Sequence, residues 1–261
     1  MWNVEEGERV VASDRARAFI AVAWSSRFIA TVSAIGAVAL WRTSQSQPFQ
    51  HPATELRLYE ISPQAPIVLF SPDGLCFAMS DYNCAGWTVW TVSENGDLTN
   101  PVRLHDARSG YARQFAKTPI FGAFDHDSRR LVVVDNQDRL ELWEVPSGQN
   151  LLTLHMPTTG LRDVAFSADG EHLLLVRESE SAVEIRSACS GCLLDSLLLE
   201  GDEDGELWSI PLGRYACFSP CGTYVASSPA TVGGVKMWHT ADGSLITGAR
   251  NEGSSHDNTL S

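Results

Sequence analysis

The residue groups in this chain whose types and spacing could do chemistry are few. Cys189-Ser-Gly-Cys192 is a C-x-x-C pair, a spacing that can hold zinc or run thiol–disulfide exchange. Zinc needs a second ligand pair, and redox work needs a strand–helix–strand frame. The spacing occurs once, and it aligns with Pro146-Ser-Gly-Gln149, an ordinary hairpin turn, so we read it as a turn. Cys217 and Cys221 bracket another turn, in which Cys221 takes the place of an aspartate. Residues 200–206, Glu-Gly-Asp-Glu-Asp-Gly-Glu, could gather a cation or a basic peptide. They lack the D-x-D-x-D-G order of a calcium loop and read as a solvated loop. The seven histidines are scattered, none at metal-ligand spacing. There is no G-x-S-x-G, no H-E-x-x-H and no phosphate-binding glycine loop. We therefore expect no enzyme, no cofactor and no bound metal. One basic stretch stands out: residues 100–118 carry Arg103, His105, Arg108, Arg113 and Lys117. Arg103, Arg108, Arg113 and Lys117 form a candidate docking loop, set against its plainer reading as a long surface loop.

The bulk numbers narrow the partners. The chain has 261 residues, a formal net charge of −13 and only two lysines, Lys117 and Lys236. A phosphate backbone needs clustered positive charge, so nucleic acid is not an expected partner. An anionic membrane surface is disfavoured for the same reason. Six dispersed cysteines are too sparse for a disulfide-held scaffold. The opening Met1-Trp2-Asn3-Val4-Glu5-Glu6 has neither the basic nor the apolar region of a signal peptide. A cytoplasmic or nuclear protein with reduced thiols is expected. The apolar run at 28–41 is too short for a membrane helix, which needs about 20 residues, and we read the whole stretch 18–41 as buried strands.

The elements that must carry these residues come from an internal repeat. Val68-Leu-Phe-Ser-Pro-Asp-Gly74, Ala123-Phe-Asp-His-Asp127, Val164-Ala-Phe-Ser-Ala-Asp-Gly170 and Ala216-Cys-Phe-Ser-Pro-Cys-Gly222 each run from apolar residues through an aromatic into a turn. Val22-Ala-Trp-Ser-Ser-Arg27 is a weaker copy. Proline presets φ, aspartate bonds the nearby backbone, and glycine takes positive φ, so each reads as a hairpin turn. A tryptophan follows at steady distance: Trp90 lies 20 residues after Phe70, Trp143 lies 19 after Phe124, and Trp238 lies 20 after Phe218. The same step from Phe166 lands on Arg186, where the tryptophan is lost. A glycine then follows five residues on, at Gly148, Gly191 and Gly243. Between them lie apolar runs such as Leu131-Val-Val-Val134 and alternating segments such as Leu140-Glu-Leu-Trp143. Uniform runs suit strands buried on both faces, and alternation suits a strand nearer the surface. Four strands per unit match a propeller blade.

Phe-Ser-Pro-Asp-Gly at 70–74 and Leu-Glu-Leu-Trp-Glu-Val-Pro-Ser-Gly at 140–148 resemble WD40 repeats, and as a set the resemblance covers residues 1–250. It implies an all-β protein, a β-propeller of four-stranded antiparallel blades. The family's blades share a buried network built on a His and an Asp. Here no Trp is followed by Asp and no Gly-His occurs, so a degenerate, less rigid propeller is expected. WD propellers commonly bind peptides on one face. By position in the repeat this carries over to Arg162 and Arg214, four residues before the strand aromatic, and to Tyr82, Asn136 and Arg177 in the loops beside them. The implied function is a non-catalytic protein–protein interaction scaffold for a protein or peptide partner. The alternatives are the propeller or sensor part of a larger signalling protein and, less favoured, a propeller-fold hydrolase.

Met1-Trp2-Asn-Val-Glu-Glu-Gly7 resembles the end of a repeat, so the chain reads as a blade remnant at 1–12 and blades at roughly 19–61, 66–104, 119–155, 161–199 and 213–249. A polar tail at 251–261 is expected to be disordered. About five blades plus a partial one leave three readings open: an incomplete ring from a longer protein, a strained small ring, or a ring completed by another chain. Open propeller edges would invite association.

Overall fold

The structure is a computed structural model that describes residues 2–3, 8–9, 19–33, 37–43, 52–57, 66–81, 86–104, 119–177, 182–198, 215–219, 223–228, 236–239 and 245–248. Among them there is no helix, and five four-stranded antiparallel sheets follow one another along the chain. Sheet I holds β3 (Phe19–Trp24), β4 (Phe28–Ser33), β5 (Ala37–Arg42) and β6 (Thr54–Arg57), after a short pair of β1 (Trp2–Asn3) and β2 (Glu8–Arg9). Sheet II holds β7 (Val68–Phe70), β8 (Cys76–Asp81), β9 (Gly86–Val92) and β10 (Leu98–Leu104). Sheet III holds β11 (Pro119–Phe124), β12 (Arg130–Asp135), β13 (Arg139–Glu144) and β14 (Gln149–His155). Sheet IV holds β15 (Leu161–Phe166), β16 (His172–Arg177), β17 (Ala182–Ser187) and β18 (Leu193–Leu198). Sheet V holds β19 (Tyr215–Phe218), β20 (Tyr224–Ser228), β21 (Lys236–His239) and β22 (Leu245–Gly248). The chain divides into two compact units, Met1–Thr159 and Gly160–Ser261.

The repeat seen in the sequence is a repeat of register. On the third strand, Trp41 pairs with Ile29, Trp90 with Phe77, Trp143 with Leu131, and Trp238 with Val225. Arg186 pairs with Leu173 at the same place in sheet IV. Opposite that residue the fourth strand breaks register in sheets II to V, so each outer strand bends at a bulge there. The second strands are the core: every residue of β4 is buried, as are Leu131 to Val134 of β12 and Leu173 to Arg177 of β16. Uniform Val, Leu and Ile runs serve strands covered on both faces, and the alternation in β13 marks one that is not.

Within the first unit, sheets stack by their faces. Phe28, Val32, Val38 and Leu40 of sheet I pack with Val68, Phe77, Met79 and Trp90 of sheet II. Trp87, Val89 and Leu104 of sheet II pack with Leu131, Val133 and Trp143 of sheet III. Gly122 makes the second contact close: a Cβ there would sit 2.7 Å from the Trp87 ring. In the second unit, Leu174, Val176, Val183 and Ile185 pack with Val225 and Trp238.

One expectation fails. We read all of residues 18–41 as buried, yet Val22 and Trp24 are 64% and 61% exposed. At the same register places, Val68 and Phe70 of β7 and Phe124 of β11 face the preceding sheet.

Candidate functional site

Each first strand runs into a turn built by its own polar side chains. In sheet II the Ser71 hydroxyl donates to the Asp73 carboxylate at 2.6 Å and accepts from the Cys76 amide at 2.9 Å. In sheet IV, Ser167 does the same with Asp169 and the His172 amide. In sheet III, Asp125 replaces the serine and accepts from the Arg129 and Arg130 amides and from Arg130 Nε. The Ser-Pro-Asp-Gly motif is therefore spent on holding turns. The Ser167 hydroxyl, with the Glu171 amide, lowers the Asp169 pKa. Burial pushes the Cys76 thiol up, and Asp73 adds to the shift.

Cys189 and Cys192 lie in the β17–β18 hairpin, both exposed and both free. The Gly191 amide closes this turn on the Ser187 carbonyl at 2.8 Å, as Gly148 does on Glu144. Both glycines hold positive φ, and a Cβ on Gly148 would also meet Val102 at 2.6 Å. The C-x-x-C thus occupies the same turn as Pro146-Ser-Gly-Gln149. Among the described residues no group of three or more His, Cys, Asp or Glu could hold a metal ion.

The candidate rim residues fare differently from one another. Tyr82 and Arg214 lie outside the described residues, and the Arg162 side chain is likewise not described. Its backbone is the extra residue of a bulge between Leu161 and Asp163, repeated in β3 and β11. Asn136 is exposed in the β12–β13 turn. Arg177 is not offered to solvent. It is buried to 3% exposure at the end of β16, its guanidinium paired with Glu184 of β17. Glu184 also accepts from Arg186 Nε at 2.7 Å, and Arg186 donates to the Gly191 carbonyl at 3.1 Å. Of the docking-loop candidates, Arg103 is exposed on β10. Arg108, Arg113 and Lys117 lie outside the described residues, as do residues 200–206.

Sequence reasoning named Arg177 and the lost tryptophan at Arg186 but did not join them. The missing signal was Glu184, two residues before Arg186, a place that Glu141 fills in sheet III beside its partner Arg139. A carboxylate in a strand otherwise buried needs a cation, and two arginines supply it. Polar network also survives elsewhere. Trp41 Nε1 donates to Thr31 Oγ1 at 2.9 Å, and the Thr158 amide and hydroxyl reach the Asp138 carboxylate at 2.7 and 3.1 Å. Asp163 of β15 is half-buried, and that burial raises its carboxyl pKa.

Solved structures resemble this chain, two of which bear on its fold. One is the Cps50 (Swd1) β-propeller domain of Myceliophteria thermophila, 14% identical, with a TM-score of 0.62, covering 96% of this chain and 79% of that one. The other is a protein from Lactobacillus plantarum, 18% identical, with a TM-score of 0.62, covering 88% of this chain and 70% of that one. No family model matches the sequence. No curated protein matches it either. The fold is a β-propeller of four-stranded antiparallel blades. At these identities the likeness speaks to fold alone, and one fold hosts many functions.

Proposed function

We propose that this chain is a non-catalytic protein-interaction scaffold of the WD-repeat type. The observation that carries the reading is the contrast between register and loops. Five sheets keep the same pairing around the third-strand Trp or Arg, while the connections between them differ in length and charge. A rigid frame with freely varied loops suits docking, because insertions in surface loops cost little. The WD40-like repeats Phe-Ser-Pro-Asp-Gly (70–74) and Leu140 to Gly148 support the family, and the Cps50 (Swd1) domain supports the frame. The polar motif residues are engaged in turns and ion pairs, which supports a reading without catalysis. Its partner in this reading is a protein or peptide. Among the described residues Cys76, Cys189 and Cys192 are free thiols, which suits a reducing compartment such as the cytoplasm or nucleus.

The test is capture of partners from the source cells by the full chain, followed by titration of each purified partner. We expect a saturable complex weakened by charge reversal at Arg103 and by alanine at Asn136. Saturable binding of no protein, together with one metal ion per chain or turnover of an ester, would sink the reading.

A further inference from the structure

An arginine drawn partly out of water needs an acceptor for its charge and its N–H donors. Among the described residues six arginine side chains are buried or half-buried. Arg130 pairs with Asp125, Arg139 with Glu141, and Arg177 and Arg186 with Glu184. The other two, Arg27 and Arg42, have no carboxylate partner among the described residues, and they gather at one place. Phe28 opens β4, with Arg27 just before it and Arg42 opposite it in register on β5. The guanidinium carbons of Arg27 and Arg42 lie 5.5 and 5.7 Å from the centroid of the Phe28 ring, which is 1% exposed. The ring attracts both cations and leaves their N–H donors for another acceptor.

The equivalent places in the other sheets do not repeat the pair. The Arg27 carbonyl accepts from the Thr43 amide at 3.0 Å, and the same bond falls on Leu75, Arg129 and Glu171 in sheets II to IV. The place of Arg42 holds Thr91, Glu144, Ser187 and His239 in sheets II to V. The turns differ as well. Those of sheets II, III and IV hold Asp73, Asp125 and Asp169. The sheet I turn closes from the Ser25 amide to the Phe28 carbonyl, three residues on where sheet II spans five, and it holds no carboxylate. The sheet II turn that packs on the Phe28 ring through Gly96 carries Asp97, but that carboxylate accepts from the Thr54 and Ser93 hydroxyls.

Charge chooses the ligand. One carboxylate matches one guanidinium, as Asp125 matches Arg130. Two guanidiniums at one ring match a dianion with several acceptor oxygens, which is a phosphoryl group. The net charge of −13 opposes an anion at long range. At physiological salt, exposed charges beyond about 8 Å are largely screened, so the local pair decides. We propose that Arg27 and Arg42 bind a phosphoryl group, free as inorganic phosphate or borne on a serine or threonine side chain. The inference stands apart from the scaffold reading.

The test follows the arginine Nε–H signals of the full chain by NMR during titration at fixed ionic strength. The probes are inorganic phosphate, the peptide Gly-Ser-phosphoserine-Gly-Ser, its unmodified form, and acetate. Arg27→Gln and Arg42→Gln each delete one signal and so assign the pair. We expect phosphate to move both signals together with a Kd on the order of 1 mM, and acetate to act at least about tenfold more weakly. Each variant should weaken phosphate binding by about tenfold, and Arg103→Gln, at an exposed arginine, should leave it unchanged. Tighter binding of the phosphopeptide than of phosphate, lost in the unmodified peptide, makes a modified protein the source. Equal or weaker binding of the phosphopeptide makes it the free anion. Phosphate that moves neither signal of the wild-type chain overturns the proposal, whatever the variants do. So does acetate that moves both signals as strongly, or variants folded by circular dichroism that bind phosphate as the wild type does.

Discussion

Sheets III and IV have one backbone and two different interiors. Their second and third strands share a register, Leu131 opposite Trp143 and Leu173 opposite Arg186. Their third-to-fourth turns close with the same 2.8 Å hydrogen bond. Sheet III fills the central place with Trp143, 4% exposed. Sheet IV fills it with Arg186 and adds Glu184 and buried Arg177. The first strands differ too: Phe121 in sheet III stands where Asp163 stands in sheet IV. The comparison teaches that the repeat specifies register and turns, while the filling of a blade is free to change if its charges are paired.

The sharpest way to break sheet IV is Glu184→Gln. It removes the carboxylate bound to both arginines, and breaking a buried ion pair costs about 3–5 kcal/mol. Amide exchange across β16 and β17 should rise accordingly, while exchange in sheet III should not move. The reverse experiment makes sheet IV like sheet III. Arg177→Leu/Glu184→Leu/Arg186→Trp removes every charge of the cluster together, and we expect stability unchanged or raised by about 1–4 kcal/mol in urea unfolding. A large loss would mean that the ionic cluster, and not the register, holds this sheet.

A third comparison sharpens the tryptophan place itself. In sheet I, Trp41 has Thr31 as acceptor. In sheet III, Val133 occupies the matching position, and the buried Trp143 Nε1 has no acceptor among the described residues. Thr31→Val should cost about 0.5–1.5 kcal/mol by removing the hydrogen bond from Trp41 Nε1 to Thr31 Oγ1, and Val133→Thr should gain about 0.5–1.5 kcal/mol by supplying one to Trp143. Paired thermal melts of the two variants check both signs.

The smallest effect is a pH slope. Burial raises the Asp163 carboxyl pKa, with the Val164 amide acting the other way. The folded state then holds a proton that the unfolded state has lost. Stability should fall as pH rises from about 3.9 through the raised folded value, and stay lowered above it. Asp163→Asn should remove that slope and raise the melting temperature at neutral pH. Asp169, lowered chiefly by Ser167, contributes the opposite slope, so the difference between wild type and variant is the quantity to measure.

Turns, strand order and the place of each third-strand residue were legible in the sequence, because each depends on local chemistry. Serine, proline, aspartate and glycine fix the Ser71 to Gly74 turn by contacts within a few residues. Even the loss of tryptophan at Arg186 was readable from spacing alone. The candidate site was less so. Arg177 looked like a rim residue because its position in the repeat says nothing of the face its side chain takes. Only cross-strand packing put it beside Glu184, with its guanidinium buried and not offered to solvent. Trp24 matches Phe70 and Phe124, which are partly buried, and Phe166, which is buried, yet it is exposed, because cover at that place comes from a neighbouring sheet and not from its own strand.

The sequence by itself therefore determined the period, the turns and the register, all set by interactions over a few residues or between adjacent strands. Tertiary structure alone decided which charges meet and which apolar faces are covered. Those depend on contacts between residues far apart in sequence, where a side chain's type states its need but not its partner.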